Sequence, residues 1–165
     1  MAVSFTLRPA QSADEDFLYR LYEATHGQQF SLLPLSPEHR EALVRMQFQA
    51  QRTGYRQQYP ASQDSIIEVN RESAGRVWLD DVSKSELHLV DIAILPGQQG
   101  RGLGAAVLQW ILESAEASKK AVSLYVARMN VRAIEFYRRL GFREIGGDEV
   151  YIEMRAGAIY PGDPR

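Results

Sequence analysis

The sequence predicts an α/β (α+β) domain of about seven short strands and about four helices. Two observations predict this class. Short β-rich runs alternate with longer segments that repeat apolar side chains at helical intervals, and several short runs follow one another across polar turns of hairpin length. The chain fits one domain over 1–165, with an expected core at about 4–154 and a C-terminal tail at 156–165.

The first strand and the first helix are predicted from their ends. Residues 4–8 alternate apolar and polar side chains, as a half-buried strand does, and Pro9 closes the run. Ser12 and Glu15 have the spacing of a capping box, which starts a helix. We therefore expect a strand followed by a helix over about 13–25.

A second helix is predicted from its start and its stop. Ser36 can cap it, Pro37 suits its first turn, and Gly54 is a natural end. Residues 53–62 are then expected to form a polar loop rich in tyrosine. The predicted buried face of this helix carries Leu43, Met46 and Ala50.

The remaining elements follow in an order that alternates strands and helices. Three strands separated by short polar turns are predicted at 65–69, 75–80 and 86–95. A long helix follows, and its apolar stripe carries Leu103, Val107, Trp110 and Ile111, with Leu108 and Leu112 beside it. The last elements are a strand at 121–126, a helix at 131–140, and hairpin strands at 142–146 and 150–154.

Composition excludes several classes of function. A net charge of −2 gives no general attraction to nucleic acid or anionic membranes, because such binding rests on many contacts from Lys and Arg. The chain has no cysteine, which excludes disulfides, thiolate metal sites and a cysteine nucleophile. It also lacks an 18-residue apolar run and a signal-like N-terminus, so we expect a cytoplasmic protein without a membrane partner.

The stretch LPGQQGRGLG, residues 95–104, places alternating glycines between a predicted strand and a predicted helix. Glycines allow a tight turn and a close approach to the backbone, and the first helix amides can bind an anion. A merely structural turn is the alternative. A Walker loop would need Gly-Lys-Ser/Thr, and a dinucleotide fingerprint would need a third glycine and a later acidic residue where Val107 and Val122 stand.

This stretch resembles the acetyl-CoA signature of the GNAT superfamily of N-acetyltransferases, Gln/Arg-x-x-Gly-x-Gly/Ala. Gln99, Gly102 and Gly104 occupy its three specified positions. Residues 130–142, NVRAIEFYRRLGF, are similar to the second cofactor motif of the family. The resemblance covers the element order from 4 to 154 and implies a mixed, mostly antiparallel sheet. Its fourth and fifth strands splay apart to admit the pantetheine arm of acetyl-CoA.

The resemblance implies acetyl-CoA as the donor substrate and no metal. Ile92 and Ile94 would offer backbone groups to the pantetheine arm and the thioester, with their side chains in the core. Asn130 would both cap its helix and hydrogen-bond the donor. The other residues that the resemblance implies as donor contacts are Gln99, Gly100, Arg101, Gly102, Leu103, Gly104, Ala133 and Tyr137.

The resemblance also implies a general acid and leaves the general base open. Tyr137 would protonate the departing thiolate, because a phenol with a pKa near 10 holds its proton where a thiol with a pKa near 8.5 loses it. The alternative is that Tyr137 only packs. His88 has a suitable pKa for a base on the central strand, and Glu86 and Asp91 are further candidates. A water chain, with His88 bonded to a neighbour, is the alternative.

The acceptor is the least determined part of the site. The family builds this region from the first two helices, the loop around them and the last hairpin. Three functions stay open: transfer of acetyl to a primary amine of a small molecule, amino acid derivative or peptide; a non-catalytic acyl-CoA sensor or docking module; and an N-acyltransferase for longer acyl-CoA. Dimers are common in the family, so a homodimer is compatible with the sequence. The candidate acceptor residues are His26, Gln28, Gln29, Phe30, Arg52, Tyr55, Arg56, Gln57, Gln58 and Tyr59.

Overall fold

The computed structural model describes residues 3–81 and 83–157, which form seven strands and four α-helices. Short 3-10 turns lie at Ser12–Asp14, Gly27–Phe30 and Pro96–Gln98. The helices are α1 Glu15–His26, α2 Pro37–Gln58, α3 Leu103–Ala117 and α4 Val131–Arg139. The strands are β1 Thr6–Pro9, β2 Gln63–Val69, β3 Glu72–Asp80, β4 Glu86–Ile94, β5 Ala121–Ala127, β6 Arg143–Gly147 and β7 Tyr151–Gly157.

The strands form one sheet in the order β1-β2-β3-β4-β5-β7-β6. β1 pairs antiparallel with β2, and β7 pairs antiparallel with both β5 and β6, whereas β4 and β5 are parallel. Asn70 and Arg71 both have positive φ, 52° and 67°, as a tight two-residue hairpin turn between β2 and β3 requires. The predicted mixed, mostly antiparallel sheet of seven strands is confirmed.

The parallel ladder between β4 and β5 covers only the first part of each strand. It pairs Glu86 to Leu89 with Ala121 to Leu124. β4 continues to Ile94 and β5 to Ala127, so the paired segment ends before either strand does.

Two compact units make up the described chain, and β3 and β4 run through both. The first unit contains the residues up to Trp78 together with Asp91–Leu103, and the second contains Leu79–Val90 together with the residues from Gly104 onward. The expectation of a single domain stays a prediction. None of the helices within residues 3–81 and 83–157 has the length and apolar character that a membrane span needs.

The first unit is built around aromatic and branched side chains from α1, α2 and β2. Tyr19 and Phe48 meet edge to face with ring centroids 5.6 Å apart. Leu18, Tyr22, Val44 and Ile66 complete this buried cluster. The predicted buried face of α2 is therefore wrong: Val44 and Phe48 point inward, while Met46 is 58% exposed.

The start of α2 agrees with its predicted signal, and its end does not. Ser36 caps α2 as predicted, since its hydroxyl accepts a hydrogen bond from the His39 amide at 3.2 Å. The predicted stop at Gly54 is wrong, because α2 continues to Gln58. A glycine costs a helix about 1 kcal/mol, and the edge-to-face packing of Tyr55, the next residue, on Trp78 offsets this cost.

The start of α1 corrects a second local prediction. The capping box lies one residue earlier than predicted and belongs to the 3-10 turn Ser12–Asp14 that precedes α1, where the Gln11 amide donates to the carboxylate of Asp14 at 2.8 Å. Arg8 holds the same carboxylate with two hydrogen bonds of 2.8 Å. These bonds hold the pKa of Asp14 at about 2, below its ordinary value.

The second unit buries four consecutive residues of β5, Ala121 to Leu124, one face of β7 and one stripe of α3. Leu108, predicted beside this stripe, is buried with it, whereas the predicted Trp110 is 45% exposed. β7 extends to Gly157 with Ala156 buried, so the C-terminal tail begins later than predicted. The rest of that predicted tail, 158–165, lies outside the described residues.

Candidate active site

Between β4 and α3 the chain forms a tight turn whose backbone requires glycine. We call Gln99, Gly100, Arg101, Gly102 and Leu103 the glycine turn. Gly100 and Gly102 have φ of +74° and +81°, a region that costs other residues roughly 1–2 kcal/mol. Gly104 follows within the first turn of α3. Gly100 and Gly102 thus have a conformational reason to be glycine, and Gly102 also occupies a signature position.

The glycine turn leaves its backbone open to a ligand. A Cβ at Gly100 would meet nothing within 4 Å, and one at Gly102 would meet only the Val3 side chain at 3.9 Å. The first amides of an α-helix have no intrahelical acceptor, and the helix dipole adds positive potential there. This arrangement can bind the oxygens of a phosphate or pyrophosphate.

Gln99 connects the glycine turn to the end of β4. Its side-chain amide donates to the carbonyl oxygen of Ile94 at 2.9 Å. The neighbouring amide of Leu95 donates to the carbonyl oxygen of Ala74 on β3 at 2.9 Å. The signature spacing identified Gln99, but its bond to Ile94 depends on the fold of the turn and was not predicted.

Ile92 and Ile94 lie in the last part of β4. Both residues are half-buried and neither belongs to the fully buried core, so the expectation of core side chains is only partly met. Their backbone lies in the part of β4 that follows the ladder with β5. Such a segment can offer backbone donors and acceptors to an extended ligand.

Helix α4 presents the second predicted motif. Asn130 caps it as predicted, with its side-chain oxygen accepting from the Ala133 amide at 3.2 Å. Tyr137 is half-buried, and its ring lies 5.6 Å from that of Phe142 in an edge-to-face contact. Phe142 is buried, so this packing fixes the ring of Tyr137 while the residue keeps some exposure.

His88 forms the centre of a polar group on the sheet of the second unit. We call His88, Ser123 and Tyr125 the histidine group. The Nδ1 atom of His88 lies 2.8 Å from the Ser123 hydroxyl, and its ring lies 5.2 Å from that of Tyr125. Burial lowers the pKa of the His88 imidazole, against the opposing influence of nearby carboxylates. A neutral imidazole at pH 7 can accept a proton.

The two other candidate bases have cationic partners. Glu86 lies 3.6 Å from Arg155 in an ion pair. Asp91 lies 3.8 Å from Arg76, a buried residue that also forms two shorter hydrogen bonds, of 2.9 and 3.1 Å, with Asp64. Burial raises the pKa of the Asp91 carboxyl, and Arg76 opposes that rise. Sequence reasoning missed Arg76, although an arginine inside an apolar strand run was a signal for a buried ion pair.

The predicted acceptor residues lie in different elements and make different local contacts. His26 stacks on Tyr22 with ring centroids 4.4 Å apart, and Arg52 forms an ion pair with Glu15 at 3.2 Å. Gln28 lines a groove of about 600 Å³ beside α1 and α2. Arg56, Gln57 and Gln58, like Tyr55, lie on the extended α2 rather than in a loop, while Tyr59 follows its end. Gln29 and Phe30 lie in the 3-10 turn after α1.

Comparison with known proteins identifies the family. Residues 18–142 match the model of the acetyltransferase (GNAT) family. The chain belongs to this family. Within residues 3–81 and 83–157, no group of three or more His, Asp or Glu side chains is arranged to hold a metal ion.

Two curated relatives resemble part of the chain. An uncharacterised N-acetyltransferase of Methanocaldococcus jannaschii is 36% identical over 86 residues, covering 48% of this chain and 38% of that protein. A mycothiol acetyltransferase of Mycobacterium avium is 36% identical over 84 residues, covering 46% and 26%. The matches thus span well under half of the relatives' own length.

A solved structure shares the fold along nearly the whole chain. The PaiA N-acetyltransferase of Thermoplasma acidophilum, in complex with coenzyme A, superposes with a TM-score of 0.68. The match covers 94% of this chain and 99% of that one at 18% identity. This likeness supports the GNAT fold of the chain.

Proposed function

We propose that this chain is an N-acetyltransferase that transfers the acetyl group of acetyl-CoA to a primary amine of a small molecule, amino acid derivative or peptide. The glycine turn carries the proposal. Its positive-φ glycines, open backbone and helix start form an anion site at the position of the GNAT signature. Membership of the GNAT family supports the same reaction class.

The donor contacts in this proposal are mainly backbone groups. The amides from Gln99 to Gly104, beside Arg101, bind the pyrophosphate, and Ile92 and Ile94 offer peptide groups to the pantetheine arm and thioester. Backbone groups suit this task because an extended arm can pair with a strand. On α4, Asn130 contributes a further hydrogen bond to the donor, and Ala133 contacts it.

The proposed reaction is direct attack. The neutral amine nitrogen attacks the thioester carbonyl carbon, a C–N bond forms, and the C–S bond breaks. Tyr137 donates its phenolic proton to the departing sulfur, giving free CoA thiol, and recovers a proton from water. The proton lost by the amine passes to a base, so the products are an N-acetyl amide and CoA.

His88 is the proposed base, acting directly or through water. Its lowered pKa keeps the imidazole neutral at pH 7, and the bond to Ser123 fixes the ring orientation. Glu86 is less suited because its carboxylate is paired with Arg155. Asp91 shares Arg76 with Asp64 and is the second candidate.

An acceptor screen tests the proposed function. The purified full chain is incubated with acetyl-CoA and a panel of alkyl amines, amino acid amides and short peptides, and free CoA thiol is measured. We expect acceptor-dependent thiol release with at least one class of amine. If acetyl-CoA binds and no acceptor is acetylated, the proposal is wrong and a sensor role replaces it. Parallel reactions with propionyl- and succinyl-CoA show whether a longer acyl group is preferred.

A further inference from the structure

The backbone conformation of Gly75 on β3 does not require a glycine. Its φ lies outside the positive region that favours glycine, and the residue is buried. What it lacks is space for a side chain. A Cβ at this position would overlap the carbonyl oxygen of Ala93 and would lie 3.0 Å from Ile94 Cδ1 and 3.3 Å from Ile94 Cα. The backbone of β4 therefore approaches β3 at Gly75 more closely than any other residue would allow.

The same segment of β4 is held from two further directions. The Leu95 amide donates to the carbonyl of Ala74, and the Gln99 side chain donates to the carbonyl of Ile94, each at 2.9 Å. A backbone carbonyl cannot rotate away as the tip of a side chain can. An added methyl group at Gly75 must therefore displace the β4 backbone or strain these two hydrogen bonds.

We infer that Gly75 is a positioning residue for acyl-CoA binding, because its missing side chain sets the place of the β4 backbone at Ala93 and Ile94. The inference rests on the proposed function, in which the peptide groups of Ile92 and Ile94 receive the pantetheine arm. Gly75 itself touches no substrate. Its effect passes through the β4 backbone at Ala93 and Ile94, the segment that the proposal assigns to the pantetheine arm.

The test compares Gly75→Ala with a matched glycine variant. Calorimetry measures the dissociation constants of three probes: acetyl-CoA, S-acetylpantetheine as the arm alone, and 3′-phospho-ADP as the nucleotide with its pyrophosphate. We expect Gly75→Ala to weaken acetyl-CoA and S-acetylpantetheine by about tenfold, equivalent to 1.4 kcal/mol. The affinity for 3′-phospho-ADP changes much less, because Gly100 and Gly102 set the glycine turn. In steady-state kinetics, the KM for acetyl-CoA rises more than kcat falls.

Gly54→Ala is the control, because its added Cβ meets nothing within 4 Å in α2. We expect this variant to bind acetyl-CoA as the wild-type chain does. Unchanged binding in Gly75→Ala, or equal weakening of all three probes, overturns the inference while leaving the proposed function intact. A wild-type chain that does not bind acetyl-CoA contradicts the proposed function instead.

A second variant covers the case in which Gly75→Ala does not fold. Gly75→Ala combined with Ile94→Val removes the methyl group at 3.0 Å and leaves the backbone overlap with the Ala93 carbonyl, so it lowers the total crowding while keeping the displacement under test. The same three probes are then measured on this protein, with the same expected pattern against Ile94→Val alone. If the double variant also fails to fold, Gly75 is needed for folding itself and its role in donor positioning is overturned.

Discussion

The glycine turn and the histidine group present polar groups in different ways, the first from the backbone and the second from side chains. The glycine turn uses backbone groups, and its essential feature is the absence of side chains at Gly100 and Gly102. The histidine group uses side chains, and its essential feature is the 2.8 Å contact between His88 and Ser123, residues 35 positions apart. The first can bind charge without titrating, whereas the second can exchange a proton.

This difference indicates what each region can contribute to the proposed reaction. Backbone amides carry no titratable group, so the glycine turn should affect donor binding at any pH. Side chains such as His88 and Tyr137 change protonation state, so substitutions there should affect turnover and its pH dependence. Donor affinity and the rate of chemistry should therefore separate between the backbone site and the titratable side chains.

The largest effect is expected for Tyr137→Phe. Loss of the phenolic proton removes the proposed general acid, and kcat should fall about 10²- to 10⁴-fold. The ring contact with Phe142 is kept, so acetyl-CoA affinity should change little. Tyr151→Phe, at a half-exposed tyrosine of β7, is the control and should retain its rate. An unchanged kcat for Tyr137→Phe at every pH would show that Tyr137 only packs.

A smaller effect is expected for Gly102→Ala. An alanine at φ +81° costs roughly 1–2 kcal/mol, and its methyl group faces the open side of the glycine turn. Acetyl-CoA affinity, measured by calorimetry, should fall about 5- to 30-fold, with a smaller change in kcat. Gly97→Ala is the matched control, because φ there is not positive and a Cβ meets nothing within 4 Å. Equal affinity losses in both variants would remove the special role of the glycine turn.

A pH-dependent effect is expected at His88. Burial lowers the pKa of His88, so the imidazole becomes protonated, and loses its ability to act as a base, only below its ordinary value of about 6.5. The rate should therefore be flat near pH 7 and fall tenfold per pH unit on the acid side of the lowered pKa. This limb should be absent from the pH–rate profile of His88→Gln.

The same shift has a consequence for stability with a definite sign. Because the folded chain binds this proton less readily than the unfolded chain, the free energy of unfolding should decrease as pH falls below about 6.5. His88→Gln should reduce that part of the pH dependence in urea unfolding. An acid limb in the rate that survives in His88→Gln would assign the base elsewhere, and Asp91→Asn would then be tested.

The smallest effect is expected at a glycine of ordinary conformation. Gly54 lies inside α2 with open space around it, in contrast to the glycines of the glycine turn. Gly54→Ala should increase the free energy of unfolding by about 0.4–1 kcal/mol through a less flexible unfolded chain. Thermal unfolding measures this gain, and a loss of stability would contradict the helical assignment of Gly54.

Local signals allowed much of the fold and the donor motif to be predicted. Ser36 and Asn130 cap helices through bonds to residues three positions away, and such caps follow from the sequence. The glycine turn was found because its spacing is local. Tertiary packing, by contrast, decided the buried face of α2, where Val44 and Phe48 replace the predicted residues.

Polar contacts between distant residues were beyond prediction. The bond between His88 and Ser123 and the ion pair between Arg76 and Asp64 join residues on different strands. The bond of His88 depends on the register of the parallel strands β4 and β5, which no hairpin turn connects. The ion pair of Arg76 depends on the register of β2 and β3, which was not predicted from the sequence. The extension of α2 through Gly54 was missed for a related reason, because the packing of Tyr55 on Trp78 offsets the glycine's low helix propensity.

Calorimetric titration of the full chain with acetyl-CoA tests the central claim most directly. The glycine turn as a pyrophosphate site predicts saturable binding at one site per chain, competition by 3′-phospho-ADP, and an affinity that Gly102→Ala lowers more than Gly97→Ala does. No saturable binding at acetyl-CoA concentrations up to about 1 mM, the range of weak ligands near −4 kcal/mol, would contradict the claim.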